Sequence, residues 1–122
     1  MRVLFLSNSD GGLYSFRREV VEALLKENEV FLSVPDTGCV PYFVDMGCKV
    51  FGISFDRHGL NPLNDLALIK TYVKTIRQCK PDVVFTYTVK PNVYGGIACQ
   101  ITKTPYITNV TGLGLSIENG GI

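Results

Sequence analysis

Short apolar segments alternate with amphipathic segments along the whole chain of 122 residues. Each apolar segment ends at turn-forming residues, which is typical of buried β-strands. Between these segments, apolar residues recur at three- and four-residue steps, the spacing of one helix face. The pattern predicts helices at residues 14–28, 62–79 and 91–103, with a short amphipathic segment at 42–46. It predicts strands at residues 2–7, 29–34, 49–55, 82–87 and 105–110.

This alternation limits the chain to a small set of α/β architectures. Parallel strands need long crossovers, and helical crossovers cover both faces of the sheet. We therefore predict one α/β domain with a Rossmann-like, doubly wound parallel sheet of about five strands in a three-layer αβα arrangement. In such folds, ligands bind beyond the carboxyl ends of the strands, where the strand order reverses. Candidate site residues therefore follow the strands.

The composition excludes several classes of protein. Hydrophobic residues make up 46% of the chain, and 12 Lys and Arg residues nearly balance 11 Asp and Glu residues. The net charge of +1 provides no general attraction for nucleic acid. The first apolar segment is too short for a signal peptide, and no segment is long enough to span a bilayer. We therefore expect a cytoplasmic protein that binds no nucleic acid.

The sequence predicts no metal site and no other cofactor. The cysteines lack the close spacing of zinc ligands, and His58 is the only histidine. We interpret the cysteines as small core residues, and we assign His58 no catalytic role. The four cysteines are Cys39, Cys48, Cys79 and Cys99.

The first strand leads into a glycine-containing segment, SNSDGG, at residues 7–12. Glycine lets a ligand approach the backbone closely, and the amides and dipole of a following helix favour an anion. Gly11 and Gly12 are therefore candidates for phosphate binding, although the same glycines would also form a simple tight turn. The segment lacks the GxGxxG pattern of dinucleotide loops and the GK[ST] ending of nucleoside-triphosphate loops.

Polar residues also follow the other predicted strands. Lys90 lies just before Pro91 and could meet a phosphate or a carboxylate, with a solvated loop residue as the alternative. Asp36 follows the second strand, where a nicotinamide-dinucleotide domain carries an acid, but one such residue does not define that class. The candidate substrate-binding residues are Ser9, Asp10, Tyr14, Arg17, Thr88, Lys90, Asn92, Thr111 and Gly112.

Three basic residues occur at helical spacing on the longest predicted helix. Lys70, Lys74 and Arg77 are separated by four and three positions, which places them on one face. A solvated helix face is the ordinary interpretation of such a stripe. The alternative is a surface for anionic lipid headgroups, where each charge contributes about 1 kcal/mol.

Four strings in the chain together resemble a known family. They occur in order along nearly the whole sequence, and each is weak by itself. In this order they resemble the N-terminal half of family-4-type glycosyltransferases of bacterial capsule, O-antigen and glycan-lipid synthesis. The strings are VLFLSNSDGGLYSFRRE at 3–19, DRHGLNP at 56–62, KPDVVFTYTVKPNVYGG at 80–96 and NVTGLG at 109–114.

The resemblance implies one lobe of a GT-B enzyme, in which two Rossmann-like domains face a cleft. It implies that Gly11 and Gly12 lie against the diphosphate of a nucleotide-sugar donor. It also implies a glycan or polyprenyl-linked acceptor at the membrane face, which would give the basic stripe a purpose, and transfer without a metal ion. The family's C-terminal donor-binding domain, with its paired glutamates, is absent from this sequence, so we expect no turnover by the chain alone.

Two other functions remain open on the sequence. One is half of a nucleotide-sugar epimerase, which would use carboxylates and histidines for base chemistry. The other is a non-catalytic Rossmann-like module that binds a phosphate or a nucleotide through Gly11 and Gly12. We also expect a homo-oligomer, because a sheet that ends after five strands leaves an unpaired edge.

Overall fold

The computed structural model describes residues 1–52, 62–88 and 90–109 of the chain, without the side chains of residues 16, 62–65 and 109. These residues form one parallel sheet with helices on both faces, so the predicted fold class is confirmed. The helices are α1 at Asp10–Leu25, α2 at Val40–Met46, α3 at Pro62–Cys79 and α4 at Gly96–Thr102. A π-helical turn at Pro91–Gly95 leads directly into α4. The strands are β1 at Arg2–Leu6, β2 at Glu29–Val34, β3 at Lys49–Gly52, β4 at Val83–Tyr87 and β5 at Tyr106–Asn109.

The strand order in the sheet is β3-β2-β1-β4-β5. The chain first builds outward from β1 to β2 and β3, and then continues on the other side of β1 with β4 and β5. In register, Phe5 of β1 lies between Leu32 of β2 and Phe85 of β4. The order of the strands therefore reverses between β1 and β4, which makes this the switch point of the sheet.

The sheet separates two apolar cores. Since successive side chains of a strand point to opposite faces, β1 contributes to both. Phe5 packs with α1 and α2 on one face, where Phe43 of α2 is fully buried. Leu4 and Leu6 pack on the opposite face with α3 and α4, around the buried Tyr72. The three-layer arrangement thus follows from the alternation of apolar residues in the central strand.

Glycine permits the close approach of the π-helical turn to the sheet. A Cβ atom at Gly95 would lie 2.7 Å from Leu6 Cδ1 and 3.1 Å from Thr86 Cγ2. Any larger residue would collide with these side chains of β1 and β4. Because Gly95 has no side chain, the π-helical turn can pack directly against Leu6 and Thr86.

Most predicted boundaries differ from the structure by one to three residues, and α1 also ends at Leu25, three residues before the predicted end at residue 28. Helix α1 begins at Asp10, four residues before the predicted start at residue 14, and the reason lies in its capping, described below. The helix predicted at 91–103 contains the π-helical turn and ends at Thr102. The predicted third strand extends to residue 55, beyond the described part of β3.

Candidate functional site

A cavity of about 150 Å³ lies at the carboxyl ends of β1 and β4, at the switch point. The segments that follow these strands diverge there, because β1 leads to α1 on one face and β4 leads to α4 on the other. A cavity opens between them, as expected for a doubly wound sheet. Its lining residues are Ser7, Ser9, Gly12, Leu13, Arg17, Tyr87 and Thr88.

Helix α1 starts at the cavity with a side-chain cap. Ser9 is the N-cap residue, and its hydroxyl accepts a hydrogen bond of 2.9 Å from the amide of Gly12. Gly11 and Gly12 therefore form the first turn of the helix, so the prediction that they lie in a loop before it was wrong. The glycines still leave room beside Ser9, since a Cβ at Gly11 would meet only the Ser9 hydroxyl, at 3.8 Å.

The amides of this first turn already have protein partners. The Gly11 amide donates to the Asp10 carboxylate over 3.0 Å, and the Gly12 amide donates to Ser9. An anion that bound these two amides would have to displace oxygen atoms of the protein. Donor diphosphate binding by Gly11 and Gly12 therefore remains a prediction. It requires that the two amides first break their hydrogen bonds to Asp10 and Ser9.

Asp10 joins the segment after β1 to the segment after β2. Its buried carboxylate accepts hydrogen bonds from the backbone amides of Thr37, at 2.9 Å, and Cys39, at 3.0 Å, and another from the Thr37 hydroxyl. Burial by itself would raise the pKa of Asp10, but the hydrogen bonds from Thr37, Cys39 and Gly11 outweigh it and lower the pKa. Asp10 is thus a charged group that positions two loops, and a contact between Asp10 and substrate remains a prediction.

Arg17 brings a positive charge to the cavity. One helical turn beyond the glycines, its guanidinium carbon lies 5.3 Å from the centroid of the Tyr87 ring. Burial raises the pKa of the Tyr87 hydroxyl, and the neighbouring Arg17 partly opposes this rise. Arg17 also hydrogen-bonds to the Tyr87 hydroxyl, and the planar donors of a guanidinium match the oxygen atoms of a phosphate or a carboxylate.

Thr88 lies at the end of β4 in an unusual backbone conformation. Its φ of 73° falls in the left-handed region, which is costly for a β-branched residue. Its carbonyl accepts a hydrogen bond of 2.9 Å from the amide of Asn92, and the Asn92 side chain accepts one of 2.8 Å from Thr86. These two hydrogen bonds of Asn92 stabilise the turn after β4. Residues with a strained backbone, such as Thr88, concentrate at functional sites.

The predicted binding residues are only partly brought together. Ser9, Gly12, Arg17 and Thr88 line the cavity. Tyr14 instead packs edge-on against Tyr42, with ring centroids 4.7 Å apart. Lys90 and Asn92 lie in or beside the π-helical turn and do not line the cavity. The basic stripe of Lys70, Lys74 and Arg77 lies on α3. Three residues lie outside the described part of the chain, namely His58, Thr111 and Gly112.

Three cavity residues were absent from the sequence prediction. Ser7 begins the predicted glycine segment but was not among the candidate binding residues, Leu13 follows that segment, and Tyr87 is the last residue of β4. Tyr87 could have been found from the rule that ligands bind at strand ends, since it immediately precedes Thr88. Leu13 carries no such signal, because its apolar side chain fits the helix pattern equally well.

The described residues hold no cluster of three or more His, Cys, Asp or Glu side chains that could bind a metal ion. Burial raises the pKa of the Cys48 and Cys79 thiols to about 11 and that of the Cys99 thiol to about 12. These three cysteines are buried core residues, as predicted. Within residues 1–52, 62–88 and 90–109, no helix is both long and apolar enough to cross a membrane.

The structure is a parallel Rossmann-like sheet with a cavity at its switch point, which is where α/β domains of this kind bind ligands. The sequence matches the Glycosyl transferase 4-like family over residues 2–120. The chain belongs to this family, which confirms the resemblance seen in its four strings.

A curated relative and two solved structures share this domain. The chain is 33% identical over 116 residues to the N,N'-diacetylbacillosaminyl-diphospho-undecaprenol alpha-1,3-N-acetylgalactosaminyltransferase of Campylobacter jejuni, covering 93% of this chain and 31% of that protein. A glycosyltransferase from Rickettsia africae superposes with a TM-score of 0.73 at 17% identity, over 88% of this chain and 28% of that one. MurG from Acinetobacter baumannii superposes with a TM-score of 0.70 at 19% identity, over 89% of this chain and 33% of that one.

The matches assign this chain to one part of a larger architecture. It spans about a third of the length of the relatives that it resembles. The two structures support the fold, whereas the family match and the Campylobacter relative support a glycosyltransferase over the epimerase and over a non-catalytic module.

Proposed function

We propose that this chain forms the acceptor-side lobe of a glycosyltransferase that moves a sugar from a nucleotide-sugar to a membrane-linked glycan acceptor. The observation that carries the proposal is the switch-point cavity with Arg17 at its wall, in a chain 33% identical to an enzyme whose name specifies a diphospho-undecaprenol substrate. The half-buried guanidinium of Arg17 suits the diphosphate of such a molecule, because its planar donors match phosphate oxygens.

The other cavity residues are suited to a sugar. Ser9 and Thr88 supply hydroxyl groups that can hydrogen-bond to a sugar. In the transfer, the oxygen of an acceptor hydroxyl bonds to the anomeric carbon while the bond from that carbon to the donor phosphate breaks, and the hydroxyl proton passes to the departing phosphate oxygen. The leaving nucleoside diphosphate gains negative charge, which the start of α1 would stabilise once the Gly11 and Gly12 amides were released from their present partners.

We further propose that transfer requires no metal ion and that the protein works at the cytoplasmic face of the membrane, in polysaccharide synthesis such as that of a capsule. The exposed basic stripe of Lys70, Lys74 and Arg77 on α3 supports the location, because anionic lipids attract such charges. A second lobe with the donor site would complete the active site, so we expect no transfer by the chain alone.

A chimera tests the transfer proposal. The chain replaces the 116 matched residues of the Campylobacter relative, and transfer from UDP-N-acetylgalactosamine to an undecaprenyl-diphosphate-linked sugar is measured with and without EDTA. We expect transfer by the chimera in both conditions and none by the chain alone. R17M should lower the rate at least roughly tenfold, as expected when a charged contact to a phosphate is lost.

R18M is the matched control, because Arg18 also lies over a tyrosine ring, that of Tyr14, but outside the cavity. Equal effects of R17M and R18M would contradict the role of the cavity. Loss of activity in EDTA would contradict metal-free transfer.

If the chimera does not fold, binding of farnesyl diphosphate to the chain is followed through the backbone amide signals of residues 9–14. Binding that R17M leaves unchanged would also reject the proposal.

A further inference from the structure

Tyr87, the last residue of β4, connects the core to the switch-point cavity. It is only 5% exposed, although it lines the cavity. Its ring is nearly parallel to that of Phe5, with an angle of 4° between the planes and 5.8 Å between the centroids. Phe5 is fully buried in the central strand β1 and also contacts the ring of Phe85 on β4, with centroids 5.3 Å apart. The central strand therefore fixes the position of the Tyr87 ring.

Arg17 of α1 contacts Tyr87 in two ways. Its guanidinium carbon lies 5.3 Å from the centroid of the Tyr87 ring, within the range of a cation–π interaction. The guanidinium also donates a hydrogen bond to the Tyr87 hydroxyl. Two contacts with one fixed ring restrict the directions in which this long, half-buried side chain can point. The orientation of the Arg17 guanidinium at the cavity thus depends on Tyr87.

A guanidinium that is ordered before binding favours the binding of an anion. An arginine side chain that is mobile in the free protein loses rotamer freedom when a ligand binds, and this loss lowers the affinity. A contact that already orders the side chain removes that loss. A guanidinium has several N–H donors, so a hydrogen bond to a tyrosine is compatible with a bidentate contact to a phosphate. Tyr87 can therefore orient Arg17 and still leave it able to bind a phosphate.

We propose that Tyr87 is a positioning residue that holds the Arg17 guanidinium in the orientation that binds the diphosphate of the acceptor. This inference rests on the proposed function, because it requires that Arg17 binds that diphosphate. In this role Tyr87 acts through Arg17 and not on the reacting atoms. Two measurements separate the role from simple support of the fold. They are the order of the Arg17 side chain and the dependence of the Tyr87 effect on Arg17.

The mobility of Arg17 in the free chain tests the positioning by itself. Y87F retains the ring and removes only the hydroxyl, so we expect the domain to fold. NMR relaxation of the Arg17 Nε–H group should give a lower order parameter in Y87F than in the wild type. Y106F is the matched control, because the Tyr106 hydroxyl also accepts a side-chain hydrogen bond, from Gln100 over 3.1 Å, but lies outside the cavity. An Arg17 side chain that is equally ordered in Y87F and in the wild type would overturn the inference.

Binding of farnesyl diphosphate to the chain tests the consequence for the ligand. Y87F should weaken binding about 2- to 10-fold, as expected when one long side chain must be ordered on binding, and Y106F should leave it unchanged. The double variant R17M/Y87F should bind no more weakly than R17M, because the effect of Tyr87 requires Arg17. Losses that add in the double variant would indicate structural support instead and would overturn the inference.

Two further outcomes distinguish this inference from the proposed function. If the wild type binds farnesyl diphosphate and Y87F binds it equally well or more tightly, the positioning role alone is rejected. Tighter binding would mean that Tyr87 competes with the diphosphate for Arg17. If the wild type does not bind farnesyl diphosphate, the proposed function is rejected together with this role.

Discussion

Asp10 illustrates how a single buried charge organises the candidate site. It is fully buried, yet its pKa lies below the ordinary value because amides and a hydroxyl from two loops surround its carboxylate. The sequence marked Asp10 as a substrate ligand because it follows the first strand. That role stays a prediction, and the structure shows that the carboxylate joins the first turn of α1 to Thr37 and Cys39, beside the cavity.

Removal of the Asp10 side chain should destabilise the domain strongly. D10A would leave the Thr37 and Cys39 amides without their acceptor, and hydrogen bonds to a charged group contribute about 1.5 to 3 kcal/mol. Urea unfolding followed by circular dichroism measures this change. D36A is the control, because Asp36 is exposed and accepts only the nearby Gly38 amide. A loss as small as that of D36A would show that the Asp10 contacts contribute little.

The lowered pKa of Asp10 predicts the pH dependence of stability. A carboxyl whose folded-state pKa is below its ordinary value of 3.8 stabilises the fold above that pH, and the contribution disappears as the pH falls through the folded-state pKa. We therefore expect the difference in unfolding free energy between the wild type and D10N to be constant at neutral pH and to shrink below about pH 4. Urea titrations across this range measure it. A difference that stays constant down to about pH 2 would contradict the assignment.

At the scale of elements, the prediction succeeded where the local signal was strong. The predicted bounds of β2 and α3 agree with the structure, because Pro35 follows β2 directly and because Pro62 and Lys80-Pro81 bracket α3. The start of α1 was misplaced because Gly11 and Gly12 have low helix propensity and therefore indicated a loop. The capping bond from Gly12 to Ser9 overrides that propensity and begins the helix at Asp10.

The N-cap of α1 gives a prediction at this scale. S9A removes the hydroxyl that accepts from the Gly12 amide and should lower the unfolding free energy by about 1 kcal/mol. The same variant should make the Gly12 amide exchange faster with solvent, which hydrogen exchange by NMR measures. S15A is the control, because Ser15 is exposed within the same helix, and its substitution should change stability little. Equal protection of the Gly12 amide in both variants would contradict the capping role.

At the scale of the whole molecule, the sheet has β3 and β5 as its outer strands within the described residues. In the described part of the sheet, β3 pairs with β2 and β5 pairs with β4, and outer strands are sites for association. Ile107 of β5 is 50% exposed, so an apolar side chain lies on this outer strand. The expected homo-oligomer therefore has a candidate interface at β5.

Association through β5 is testable by light scattering. We expect the chain to form dimers at high concentration and expect I107K to raise the dissociation constant at least about tenfold, because charged residues on an edge strand oppose pairing. V44K is the control, since Val44 is equally exposed but lies on α2 and not on β5. A monomer at all concentrations, or equal weakening by both substitutions, would contradict association through this edge.

The sequence by itself determined the fold class, the succession of elements and the end of the sheet where the site lies. These properties depend on local periodicity and turn chemistry, which a single segment of chain contains. Only the tertiary structure decided which side chains meet there. Asp10 turns toward Thr37, 27 residues away, and Tyr87 meets Arg17 across the switch point, while Tyr14 packs elsewhere. Such contacts depend on how separate elements pack, so no pattern within one element reveals them.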